Sequence, residues 1–427
     1  MNRAQRRRQQ KNGGALTPEA TQQLFAKADS HLSMGQLDAA ERCYRQLHDA
    51  NPGNADVLNT LGILAGHQRN FPNACRLIRR AIRINPNQPN FYSNLGLALR
   101  SADKLEDSAA AFRKAIALDP DLAQAHNGLG ITLKRHGHLD AAIAAYQRAL
   151  QLYPDYTDAH TNLSHAYIQQ GKYEDALDML TEALHSAIQK PPTRSSPTKK
   201  RRPLDRQLAS KALLDLKQIL DKAGVEFFLQ AGTLLGCIRE GNFIAHDKDV
   251  DIGVFDTITK HDLEQIISTS NKFNLKTDAY TEDNQSSFSM VHANSIVFDI
   301  NFHRDDGNVC RAEYFMPGKS FTKTFSRFTL EPHKFLDTTF LVPGNYELYL
   351  TEMYGDWKVP DRYFDSMVSS RNLDTGTEII SLCYAYSRIV DALQKADNER
   401  ASAYCKQALE LDPGNKVITQ VQTWLDT

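Results

Sequence analysis

The sequence predicts a chain of mixed class, α plus α/β: an N-terminal helical solenoid, a central mixed α/β domain and a closing set of repeat-like helices. Three observations carry this reading. Prolines 52, 86, 120 and 154 recur at a spacing of 34 residues. A stretch rich in proline, serine and basic residues breaks that rhythm at 188–205. Beyond it, strand-like runs carry aspartates at alternate positions.

A 34-residue period with two amphipathic helices per unit is the tetratricopeptide signature. Other positions keep the same register. The first helix places a small residue at Gly62, Gly96, Gly130 and Ser164. The second places alanine at Ala40, Ala74, Ala142 and Ala176, with Ser108 in the third unit, and a bulky residue four later at Tyr44, Ile78, Phe112, Tyr146 and Leu180. Small residues let paired helices cross closely, and bulky ones fill the space between neighbouring units. Five repeats result, forming a solenoid over 18–187. Asn94 and Asn162 occupy equivalent first-helix positions in the groove, where they either hold an extended peptide backbone or form a solvated polar lining. A protein or peptide partner is expected there. Ala401, Cys405, Ala408 and Pro413 repeat the pattern more weakly, so 378–427 reads as a degenerate repeat with a capping helix, which a solenoid needs to end its stack.

The 427 residues allow two or three domains. A hydrophobic fraction of 41% and a charged fraction of 24% suit packed cores. The net charge of -1 argues against an electrostatic nucleic-acid binder. Arg3, Arg6, Arg7, Arg8 and Lys11 make 1–17 a basic, solvated tail, and the run Lys199 to Arg202 belongs to the 188–205 linker. No apolar stretch is long enough for a transmembrane helix, and the basic N-terminus lacks the apolar segment of a secretory signal. The six cysteines are scattered without a C-x-x-C pair, as expected for reduced thiols in the cytoplasm. G-x-S-x-G, Walker and H-E-x-x-H motifs do not occur, which sets aside serine hydrolases, P-loop NTPases and zincins.

In the central domain, 206–375, a helix is expected over 206–226 and a short strand over 225–230. The turn Ala231-Gly232-Thr233-Leu234-Leu235-Gly236 then opens a second helix. Outward-pointing N–H groups at a helix N-terminus make a seat for phosphate. The run His246 to Val254 holds Asp247, Asp249 and Asp251 at alternate positions, so a strand projects all three to one side. Carboxylates that close repel unless a cation lies between them, and oxygen ligands suit Mg2+ or Mn2+. Asp299 interrupts the apolar strand 295–302 and needs a partner, which the neighbouring acids and their cation supply. Asp249, Asp251 and Asp299 together form the catalytic carboxylate set of metal-assisted phosphoryl or nucleotidyl transfer. Asp249-Val250-Asp251 alone also fits a metal-dependent glycosyltransferase.

The segment Gly232 to Gly236, Arg239 and Asp247-x-Asp249-x-Asp251, followed by Val342-Pro343, Glu347, Leu350, Tyr354-Gly355-Asp356-Trp357 and Pro360, resembles the LicD/fukutin family of the nucleotidyltransferase superfamily over about 206–365. The resemblance implies a nucleotidyltransferase-like domain that moves a phospho-substituent, such as phosphocholine or phosphoribitol, from a CDP-linked donor to a glycan or sugar hydroxyl. It implies that Gly232, Thr233 and Arg239 contact donor phosphate, that Asp247, Asp249 and Asp251 bind the metal, and that Asp299 is the third carboxylate. Ala245-His246 before Asp247, and Lys248 after it, depart from the family pattern. A nucleotidyltransferase acting on a small molecule or protein, and a repeat scaffold without catalysis, are the alternatives.

Overall fold

A computed structural model describes residues 17–190, 204–244, 247–276, 286–316, 319–361, 363–364, 368–370, 372–373 and 378–426. The expected basic tail and most of the expected linker lie outside these residues. The chain separates into two compact units, Met1–Ala166 and Tyr167–Thr427.

The first unit is built from paired helices: α1 (Pro18–Ser33) with α2 (Leu37–Ala50), α3 (Ala55–His67) with α4 (Phe71–Ile84), α5 (Pro89–Ser101) with α6 (Leu105–Leu118), and α7 (Ala123–Arg135) with α8 (Leu139–Leu152). Helix α9 (Thr157–Gln169) begins within it. The expected small-to-bulky fit is present. Phe112 is fully buried, and a Cβ added to Gly96 would lie 2.8 Å from its ring. Asn94 Nδ2 donates to Asn59 Oδ1 at 3.1 Å and Asn162 Nδ2 to Asn127 Oδ1 at 3.0 Å, so these amides pair between neighbouring repeats.

The second unit holds two cores. Helix α10 (Tyr173–Gln189) runs two residues past the expected end of the solenoid. Its Leu180, Ala183 and Leu184 share a core with Ile389 and Val390 of α15 (Glu378–Gln394), Tyr404 of α16 (Asn398–Leu411), and Ile418 and Val421 of α17 (Lys416–Leu425). The chain therefore leaves this helical core after Gln189, builds the sheet domain, and returns to the same core at Glu378.

The sheet domain opens with α11 (Arg206–Ala223), shorter than the expected 206–226 because Gly224 adopts a left-handed φ of 67° and ends the helix. The expected strand over 225–230 contracts to β1 (Phe228–Leu229). Then follow α12 (Ala231–Glu240), β2 (Asp249–Phe255), α13 (Lys260–Ser268), β3 (Phe273–Leu275), β4 (Ser287–His292), β5 (Val297–Asp305), β6 (Val309–Met316), β7 (Lys319–Ser326), β8 (Leu330–Phe335), β9 (Thr338–Pro343) and α14 (Tyr346–Tyr354). The strand order is β3-β4-β5-β2-β1-β9-β8, with β6 and β7 branching from β5 as a hairpin. Strand alternation sends Val250, Ile252 and Val254 of β2, and Phe298, Ile300 and Phe302 of β5, into the core. On that side, Asp215 of α11 accepts from Lys272 Nζ at 2.6 Å and from His292 Nε2 at 3.1 Å. The opposite face carries the aspartates. No described helix is long and apolar enough to cross a membrane.

Candidate active site

The parallel pairing of β2 with β5 sets Asp251 directly opposite Asp299, and Asp249 opposite Val297. Two-residue alternation then puts Asp249, Asp251 and Asp299 on one face. Asp247, just before β2, joins them: one carboxylate oxygen from each of Asp247, Asp249 and Asp251 lies within 4.8 Å of the others. Asp249 lies close enough to Asp247 and Asp299 for the charges of these acids to act on one another. Ser289, paired with Asp299 across β4 and β5, donates its hydroxyl to Asp299 Oδ1 at 2.6 Å.

The turn from β1 into α12 holds this arrangement in place. Ala231 adopts a φ of 45°, a left-handed conformation that costs an L-residue of order 1–2 kcal/mol and reverses the chain abruptly. The Gly232 N–H then donates to Asp251 Oδ2 at 3.1 Å, and the Asp251 N–H donates to Thr233 Oγ1 at 2.8 Å. Thr233 is 1% exposed. A Cβ on Gly232 would overlap the Asp247 carboxylate and stand 3.2 Å from Asp251 Oδ2, so only glycine permits so close an approach. In this structure the Gly-Thr pair engages a metal-ligand candidate. Arg239, at the far end of α12, donates Nη1 to the Trp357 carbonyl and Nη2 to Glu240 Oε1, each at 3.2 Å. It thus ties α12 to the Tyr354-Gly355-Asp356-Trp357 segment.

Burial raises all four acids above the usual carboxylate range, and their mutual repulsion adds to it. Asp249 is pushed up to about 6. Asp251 is raised well beyond its ordinary value, and Asp247 and Asp299 are raised as well. Lys248 offsets the shifts of Asp247 and Asp249, and Lys276 that of Asp299, in part. A cluster of partly buried carboxylate oxygens, held by backbone and hydroxyl donors and destabilised by its own charge, fits a hard divalent cation such as Mg2+ or Mn2+.

The sequence reasoning missed three neighbours. Ser289 was hidden because nothing in the sequence pairs β4 with β5. Burial raises the Tyr314 and Tyr354 hydroxyls, and the charge of Asp251 raises both further. Tyr354 lies in a segment already marked by the family resemblance. Tyr314 comes from the β6–β7 hairpin, whose approach to the carboxylates no local pattern encodes.

Comparisons with known proteins match separate stretches of the chain to two kinds of family. Residues 224–345 match the family described as LicD/FKTN/FKRP, nucleotidyltransferase domain. Tetratricopeptide repeat families match 25–89, 93–157, 133–189 and 392–415. Among curated proteins, the chain is 31% identical over 180 residues to "Ribitol-5-phosphate transferase FKTN" of Mus musculus, covering 39% of this chain and 35% of that protein. The Homo sapiens protein of the same name is 30% identical over 169 residues, covering 39% and 36%. The chain thus spans about a third of the length of these relatives. Among solved structures, a MamA crystal structure is 25% identical with a TM-score of 0.34, covering 38% of this chain and 95% of that one. YrrB, titled as a TPR protein with an unusual peptide-binding site, is 21% identical with a TM-score of 0.31, covering 37% and 82%.

Proposed function

From a LicD-family nucleotidyltransferase-type domain accompanied by tetratricopeptide repeats, we propose that this protein transfers a phospho-substituent, of the phosphoribitol or phosphocholine type, from a CDP-linked donor to a sugar or glycan hydroxyl. The observation that carries the reading is the convergence of Asp247, Asp249 and Asp251 beside Asp299, on the sheet face opposite Val250, Ile252 and Val254. Similarity to the ribitol-5-phosphate transferases supports it.

In this proposal Asp247, Asp249 and Asp251 hold Mg2+ or Mn2+, which neutralises the donor's diphosphate charge when bound. The acceptor oxygen forms a bond to the donor's β-phosphorus, and the bond from that phosphorus to the oxygen bridging to CMP breaks. CMP leaves with the electron pair. The Asp299 carboxylate takes the hydroxyl proton, with Ser289 fixing one of its oxygens. The Gly232-Thr233 turn holds Asp251 in line and presents the first turn of α12 to donor phosphate. Arg239 adds positive charge at the other end of that helix. The repeat groove, with its paired asparagines, recruits a protein or peptide partner or the acceptor.

The test is phosphorus NMR of the protein with Mn2+-free Mg2+ buffer, CDP-ribitol or CDP-choline, and a sugar acceptor. Release of CMP with a new phosphodiester, lost in Asp251→Asn, is the expected result. Consumption of CTP with pyrophosphate release instead would replace this reading with nucleotidyl transfer. No turnover of any cytidine donor over a broad acceptor set would contradict it.

A further inference from the structure

Asn301 lies two residues beyond Asp299 on β5 and so shares the carboxylate face, about 7 Å further along the strand. Its cross-strand neighbours are Gly253 on β2, which has no side chain, and Ser287 on β4. The residue is 8% exposed, yet its amide makes no hydrogen bond among the described residues. Neither amide atom is sealed in the interior, unlike Gln230 Nε2 and His303 Nδ1 deeper on the same face. Gln230 Oε1 bonds His303 Nε2 at 2.7 Å there, with Phe228, Phe325 and Phe328 around the imidazole. The face therefore has a closed aromatic end and a carboxylate end, with an unpartnered, nine-tenths buried amide between them.

Neither atom of this amide is sealed or bonded within the described fold, so both are open to a ligand. An amide offers a donor and an acceptor together. A hydroxyl likewise donates and accepts, whereas a trimethylammonium group does neither. We infer that Asn301 is a specificity-determining residue, whose amide hydrogen-bonds a hydroxyl of the group carried on the donor's terminal phosphate and so selects a polyol substituent over a quaternary-ammonium one. The inference rests on the transfer reading above, in which the donor's terminal phosphate is held at the carboxylates, on the face that Asn301 shares.

The experiment compares dissociation constants of CDP, CDP-ribitol and CDP-choline, each with Mn2+, for wild type, Asn301→Leu and Asn301→Ser, with melting curves to show that each variant folds. Leucine keeps the branched shape and removes the donor and the acceptor; serine keeps a polar group and serves if leucine unfolds the strand. Wild type is expected to prefer CDP-ribitol, and the variants to narrow that preference roughly tenfold or more while binding CDP as before. An unchanged preference in the variants overturns the inference, as does a wild-type preference for CDP-choline. Equal weakening of all three ligands also overturns it, since Asn301 would then serve the nucleotide or the fold. Failure of wild type to bind even CDP with Mn2+ overturns the transfer reading itself and this inference with it.

Discussion

Asp251 is placed by backbone chemistry on both of its sides: its carboxylate receives the Gly232 N–H, and its own N–H reaches Thr233 Oγ1. The alternation of Asp247, Asp249 and Asp251 was legible in the sequence because a strand's period is two. The role of Gly232-Thr233 was only half legible. A strand-to-helix turn suggests a phosphate seat, but the contact with Asp251 depends on β1 lying beside β2, which no local pattern states. The charge of the cluster has a consequence for stability. Asp249 ionises near 6 in the folded protein against 3.8 for the free group. A carboxyl raised on folding contributes stability that is complete below 3.8 and lost as pH rises through about 6. Asn in its place removes that loss. In EDTA, Asp249→Asn is therefore expected to melt above wild type at pH 7, with the gap closing toward pH 4. A gap that is absent at pH 7, or that widens in acid, would show that burial and neighbouring charge do not raise Asp249.

At the scale of elements, α10 and α15 form the least expected contact. Ile389 is fully buried in the core that α15 shares with Leu180 and Leu184 of α10. The sequence showed repeat-like spacing near Ala401 and Pro413, but the pairing of helices some two hundred residues apart leaves no periodic trace. Shortened elements had local causes instead. Gly224 ends α11 before 226, and the abrupt turn at Ala231 keeps β1 from running past Leu229. Ile389→Ala is expected to cost about 2–5 kcal/mol in denaturant unfolding of the second unit. Amide exchange in Tyr173–Gln189 should accelerate with it, because that helix loses its partner. Unchanged protection of α10 in this variant would mean that the two helices do not share a core.

For the whole molecule, the sequence carried the order of parts: repeats, a sheet domain with an acidic site, and closing helices. It did not carry the arrangement of the second unit, where the sheet domain lies between helices that pack together. The carboxylate site belongs wholly to the sheet domain, and the paired asparagines of the groove belong to the repeats. The central claim is that the acids form a divalent-cation site that receives a cytidine diphosphate ligand. Its most direct test is titration calorimetry of Mn2+, followed by CDP, on wild type and on Asp249→Ala/Asp251→Ala. Saturable Mn2+ binding that makes CDP binding measurable, with both lost in the double variant, is the predicted result. CDP binding of equal strength with and without Mn2+, or Mn2+ binding that survives the double substitution, would contradict the account.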